Sequence, residues 1–197
     1  MRDNKEDIFL VTTRILKENG INYWICNGTL LGIIRDTKLI PWDLDIDIAI
    51  PGIGQRDKIV AIFSEANFEL IDDGNLSDYN TFLYQNIKVD INFFMQRGIF
   101  LSSLWKVTKN DGIIFQLIRV ISKLRIQIPK NKMFWKLEGY KVPPDYIFPL
   151  STMVYRGEII SIPNRPKETL EYTYGLDWNT PKQNYDWRKE GANNAEN

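Results

Sequence analysis

Between Trp42 and Ile48 the chain alternates acidic and apolar residues without a break: Trp42-Asp43-Leu44-Asp45-Ile46-Asp47-Ile48. Successive side chains of a β-strand point to opposite faces, so a strand over Trp42 to Ile50 puts Asp43, Asp45 and Asp47 on one face and Leu44, Ile46 and Ile48 on the other. Neighbouring carboxylates then lie roughly 7 Å apart at about 3.3 Å rise per residue, and they repel. Aspartate is also a poor strand former. A divalent cation compensates the repulsion directly, and Mg²⁺ suits such a face because it takes oxygen ligands and keeps water or phosphate in its remaining positions. The alternative is a half-exposed edge strand whose outer face is acidic, since charges often blunt sheet edges.

The chain has no histidine among its 197 residues. That excludes Ser-His-Asp and Cys-His catalysis, imidazole bases and histidine metal ligands, and leaves carboxylates, Lys, Tyr and bound metal for acid–base work. Cys26 is the single cysteine, so no internal disulfide and no zinc-type cysteine pair exist. A reducing compartment, the cytoplasm, is expected, with any metal held by oxygen. Met1 to Asn19 is charged and amphipathic rather than signal-like, and no apolar stretch is long enough to span a bilayer.

Around the acidic strand the pattern reads as an α/β (α+β) domain, a mixed sheet with flanking helices. Ile8, Val11, Ile15 and Leu16 recur at helical spacing and Asn19-Gly20 ends that helix. Asn22 to Cys26 reads as a short strand, and Gly28-Thr29 opens a helix that ends near Arg35-Asp36. Arg56 to Ala66 is a further helix, Phe68 to Ile71 a strand, and Asp72 to Asn75 a turn. Thr81 to Gln85 and Lys88 to Met95 are strands joined tightly at Asn86-Ile87. Glu158 to Ile162 is a strand and Pro166 to Tyr174 a helix, with proline in its first turn and Gly175 after it.

The second strand of that pair matters chemically. In Lys88-Val89-Asp90-Ile91-Asn92-Phe93-Phe94 one acid sits among apolar residues, where an unpaired carboxylate is costly to bury. Placed beside the first strand, Asp90 completes a carboxylate cluster able to hold two cations around a phosphoryl group. Gly28-Thr29 at a helix start offers free backbone N–H groups to phosphate. Arg35 either neutralises that phosphate or pairs with Asp36 or Asp43. Trp42, Tyr174 and Trp178 read as packing residues.

These residues carry a resemblance. Gly28-Thr29-Leu30-Leu31-Gly32-Ile33-Ile34-Arg35 followed by Ile40-Pro41-Trp42-Asp43-Leu44-Asp45-Ile46-Asp47-Ile48 resembles the defining segment of the LicD family, which includes the fukutin-related proteins. Tyr174-Gly175-Leu176-Asp177-Trp178-Asn179-Thr180-Pro181 resembles that family's C-terminal region. The resemblance implies a nucleotidyltransferase-like fold. It implies movement of phosphocholine or a polyol phosphate from a CDP-linked donor onto a glycan or lipid-linked glycan acceptor. It also implies Gly28-Thr29 near donor phosphates, Asp45 and Asp47 as paired metal ligands, and Asp90 as the third acid. Asp43 matches an acid that members also carry. One departure is Asp36, where many members have His.

Charge is distributed unevenly: residues 1–95 carry 9 Lys+Arg against 15 Asp+Glu, residues 96–141 carry 10 against 2, and residues 142–197 carry 6 against 8. An acidic body thus carries a basic insert, about 97–141, in which Ile113 to Ile128 shows a helical apolar stripe flanked by Arg119, Lys123 and Arg125. The insert is a packed helix with a solvated basic face, an amphipathic contact with the inner face of an anionic membrane, or a nucleic-acid surface using Trp105, Phe134 and Trp135. The first of these is the plainest reading, and nucleic acid comes last. Residues 1–187 are expected as one domain and the polar stretch 188–197 as a disordered tail. The expected activity is Mg²⁺-dependent transfer of a phosphate-linked group. Transfer of a nucleotide from an NTP and non-catalytic glycan or membrane binding are the alternatives.

Overall fold

A computed structural model describes residues 4–74, 77–108, 135–183 and 194–196. Helix α1 (Asn4–Glu18) buries Ile8, Phe9 and Leu16 along one face, as the 3.6-residue period requires. Strand β1 (Trp24–Ile25) leads through Cys26 into helix α2 (Asn27–Asp36), then strand β2 (Asp45–Pro51) and helix α3 (Arg56–Glu65). Strands β3 (Glu69–Asp72), β4 (Tyr79–Tyr84) and β5 (Ile87–Arg97) follow. A long two-stranded arm is made by β6 (Phe100–Thr108) and β7 (Trp135–Val142). The chain continues as a short helix α4 (Pro144–Ile147), a hairpin of β8 (Ser151–Tyr155) and β9 (Glu158–Ile162), helix α5 (Pro166–Tyr174) and strand β10 (Asn194–Glu196).

The sheet is mixed. Its centre runs β1-β2-β5-β4-β3, with β2 and β5 parallel and the other pairs antiparallel. On one face of this pair Ile46, Ile48 and Ile50 stand opposite Val89, Ile91 and Phe93, and all six are sealed from solvent in the main core. Phe63 of α3 stacks on Phe82 at 4.8 Å and meets Phe68 edge-on at 4.9 Å, fixing that helix to the sheet. Burying side chains of this size stabilises by about 1.5–3 kcal/mol each. A second apolar cluster, centred on Trp24 with Phe94 at 5.3 Å and Phe148 at 5.7 Å, fills the end of the sheet. Among the described residues no helix is long and apolar enough to cross a membrane.

Several boundaries differ from the sequence reading. The acidic strand begins at Asp45, so Trp42, Asp43 and Leu44 belong to the preceding loop. The tight connection is Gln85-Asn86, both left-handed (φ 48° and 67°), which matches the twist of a two-residue hairpin better than Asn86-Ile87. The insert expected as helical at 97–141 starts and ends as strands, paired from Leu101↔Val142 to Thr108↔Trp135. Leu101-Ser102-Ser103-Leu104 carries no period-2 alternation, and all four residues are buried, so no local pattern marks this strand. The helix expected at Ile113–Ile128 and the side chains of Phe134 and Trp135 lie outside the described residues. Of the tail expected to be disordered, Asn194–Glu196 pairs with β7, whose open edge offers backbone groups to any sequence; the described residues include no more of it.

Candidate active site

The register of the two parallel strands assembles the acids. Asp47 stands opposite Asp90, and Asp90 stands opposite Thr81 on its other side, so three neighbouring strands contribute to one row. Thr81 Oγ1 donates to Asp90 Oδ1 at 2.5 Å. Asp45, two residues earlier, shares the face of Asp47. Asp43 reaches the same place from the loop: its carboxylate and those of Asp45 and Asp47 offer oxygens all within 4.8 Å of one another. Lys5 Nζ holds this loop by donating to the Asp43 carbonyl at 2.8 Å. Asp90 faces the same cleft but lies outside that tightest trio.

Helix α2 is fitted closely to these acids. A Cβ on Gly28 would lie 2.1 Å from Asp43 Oδ2 and 3.6 Å from Asp47 Oδ2, so only glycine leaves room for the Asp43 carboxylate at the helix start. Gly32 serves the same helix one turn on, where a Cβ would meet the Lys38 carbonyl at 2.7 Å and the Ile40 nitrogen at 2.9 Å. Asn27 takes a left-handed backbone (φ 46°), which asparagine tolerates, and donates Nδ2 to Asp47 Oδ1 at 3.3 Å. Thr29 is buried, and its hydroxyl accepts the Asp47 backbone N–H at 2.8 Å. Its side chain thereby ties the first turn of α2 to β2.

Burial, with repulsion between neighbours, makes Asp43, Asp47 and Asp90 hard to ionise. Burial first, then the Asp45 charge and a hydrogen bond with Asp45, push Asp43 up to about 7. Burial and the charges of Asp45, Asp90 and Asp43 raise Asp47 well above the ordinary range, against the Asn27 hydrogen bond. Burial, partly offset by the Thr81 hydroxyl, pushes Asp90 up to about 6. Oxygen-only donors at this spacing, held in a charge-repelling group, fit a hard divalent cation. Asp43, Asp45 and Asp47 are the residues that could hold it, and Asp90 lines the same cleft.

The acids line a cleft of about 570 Å³. Arg35 also lines it, yet its guanidinium is engaged with Asp36, donating from Nη2 at 2.7 Å and Nε at 3.0 Å. Trp42, expected as packing, is 42% exposed on the cleft wall. Tyr174 and Trp178 do pack on the main core, and they line the cleft as well. Sequence reasoning missed Asn27, Tyr79, Thr81 and Asn92, all on the cleft wall. Period-2 alternation from Asp90 points to Asn92, and from Thr81 to Tyr79, so the signal was present once the pairing was known.

A mixed sheet whose adjacent parallel strands present carboxylates beside a glycine-bearing helix start defines a nucleotidyltransferase-type domain. The chain belongs to the LicD/FKTN/FKRP family, whose nucleotidyltransferase-domain model matches residues 20–165. It is 24% identical over 199 residues to the human ribitol-5-phosphate transferase FKTN, covering 98% of this chain and 37% of that protein. Against the human ribitol 5-phosphate transferase FKRP it is 23% identical over 167 residues, covering 82% of this chain and 29% of that protein. A 48-residue stretch is 51% identical to an uncharacterized protein of Rickettsia prowazekii, covering 24% of this chain and 17% of that one. The chain thus spans about a third of the length of the FKTN and FKRP relatives.

Proposed function

We propose that this domain transfers a phosphate-linked group, a polyol phosphate such as ribitol phosphate or else phosphocholine, from a CDP-activated donor to a hydroxyl of a glycan, with Mg²⁺ as cofactor. The observation that carries the reading is the carboxylate group itself: Asp43, Asp45 and Asp47 within 4.8 Å of one another, and Asp90 in register with Asp47. The names of the FKTN and FKRP relatives favour ribitol phosphate as the transferred group.

When bound, the cation supplies charge neutralisation at the phosphoryl oxygens and at the departing CMP. The protein's own part is positional and acid–base. Asp43, Asp45 and Asp47 present oxygen ligands from a fixed strand and a tethered loop. Asp90, with a pKa near 6 and a hydroxyl partner in Thr81, takes the proton of the attacking hydroxyl as its oxygen bonds to phosphorus and the phosphorus–CMP oxygen bond breaks. The start of α2 offers backbone N–H groups to the phosphates.

The test is product analysis with CDP-ribitol, CDP-choline, CDP-glycerol and CTP in the presence of Mg²⁺ and a mixed glycan acceptor. Mg²⁺-dependent release of CMP from one CDP conjugate, lost in Asp45→Asn, is the expected result. Release of pyrophosphate from CTP without CMP from any conjugate would replace it with nucleotidyl transfer. Absence of any metal-dependent nucleotide turnover or binding would sink both.

A further inference from the structure

The β6–β7 arm brings chemistry to the cleft that the carboxylates do not explain. Strand β6 pairs with β5 only from Phe100 to Ser102; farther along β5, its edge is taken by β4, where Tyr79 faces Asn92. The arm is then pinned at Leu104. Its carbonyl accepts the Asp78 N–H at 2.6 Å, and its own N–H donates to Asp78 Oδ2 at 2.8 Å, a carboxylate also held by Arg97 Nη2 at 2.7 Å. Gly139 lies opposite Leu104, and a Cβ there would sit 2.0 Å from the Ser103 carbonyl, so only glycine fits where the arm is fixed.

The next residue on each strand is aromatic. Trp105 and Tyr140 share a face of the arm, diagonal to one another, with ring centroids 5.2 Å apart and planes at 64°. Both line the cleft. Leu104 anchors this pair beside Asp78, next to the Tyr79–Asn92 row, and that row lies one two-residue step, about 7 Å, from the row of Asp47, Asp90 and Thr81. The cleft therefore has a charged end and an aromatic end.

We propose that Trp105 and Tyr140 form a subsite for a neutral sugar ring of the acceptor. The assignment rests on the transferase reading above. Rings at 64° cannot sandwich a flat nucleobase between parallel faces. A pyranose instead presents an apolar C–H face that packs against aromatic surface, and the pair supplies such surface on the cleft wall. A ring seated there directs its own hydroxyl, or that of the next residue of a glycan, toward Asp90. The hydrogen bonds at Leu104 pre-organise the pair, which limits the ordering loss on binding.

Saturation-transfer NMR with a panel of methyl pyranosides, in the absence of nucleotide and metal, tests the subsite. Saturation is expected on the ring C–H protons of at least one glycoside with the wild type and with Trp105→Phe, and about fivefold less with Trp105→Leu, which keeps apolar bulk but has no aromatic face. CMP with Mg²⁺ should bind all three alike. Tyr140→Leu carries the same expectation should Trp105→Leu fail to fold. No glycoside signal with the wild type, or an unchanged signal in the leucine variant, overturns the proposal, as does loss of CMP binding in place of glycoside binding. Glycoside binding that depends on Trp105 in a protein with no nucleotide turnover leaves the subsite standing and removes the transferase reading, so the two failures are separable.

Discussion

The Thr29 hydroxyl accepts the backbone N–H of Asp47 at 2.8 Å, tying the first turn of α2 to the strand that carries two of the clustered acids. Thr29→Val keeps the shape and removes the acceptor, leaving a buried amide without a partner. Stability should fall by about 1–3 kcal/mol in urea unfolding. The concentration of Mn²⁺ needed for half-saturation should rise, because Asp47 loses its alignment.

Gly28→Ala attacks the same junction from the other side. The added methyl would overlap Asp43 Oδ2, a side-chain atom that can swing away. The variant should therefore stay folded, with little change in urea midpoint, while its divalent-cation affinity drops about tenfold or more, a loss of about 1.4 kcal/mol. Calorimetric titration with Mn²⁺ measures it.

Asp43 near 7 and Asp90 near 6, with Asp47 raised as well, all lie above the ordinary carboxylate value of 3.8. The folded chain thus holds these protons more tightly than the unfolded one. Their stabilising contribution is full below about pH 4 and is lost as pH rises through 6 to 7. In chelator, the melting temperature contributed by this site should fall between pH 5 and pH 8, and Asp43→Asn should flatten that fall. Mg²⁺ added at pH 8 should restore stability to the wild type and not to a variant lacking Asp47.

Glu6 is a buried carboxylate that accepts the Leu39 N–H at 2.9 Å and the Tyr155 hydroxyl, with Arg156 Nη2 at 3.5 Å. It binds α1 to the loop that carries Asp43 and to the β8–β9 hairpin. Glu6→Ala strands these donors and should cost about 3 kcal/mol in denaturant unfolding. Glu6→Gln keeps an acceptor for Leu39 and should cost less.

Much of the site was legible because it lies on strands. Alternation placed Asp45 and Asp47 on one face, and the lone acid in an apolar run marked Asp90. Asp43 was read onto the same strand; it joins the cluster from a loop, through a Lys5 contact 38 residues away in sequence that no local pattern encodes. The Gly28-Thr29 pair points to backbone N–H groups at a helix start, and no local pattern shows that the Thr29 hydroxyl is also bound to the Asp47 amide. Tyr79 and Asn92 became visible only with the β4–β5 register. The β6–β7 arm was obscured because Leu101-Ser102-Ser103-Leu104 has no period-2 alternation and its two strands lie far apart in sequence.

The central claim is that the acidic group on β2 is a divalent-cation site, and Mn²⁺ binding by the wild type and Asp47→Asn, followed by electron paramagnetic resonance at pH 8, tests it most directly. The wild type should bind Mn²⁺ with displacement by Mg²⁺, and Asp47→Asn should stay folded, melt at or above the wild-type temperature in chelator, and bind at least about tenfold more weakly. Equal binding by the two proteins, or no binding by the wild type, would contradict the account.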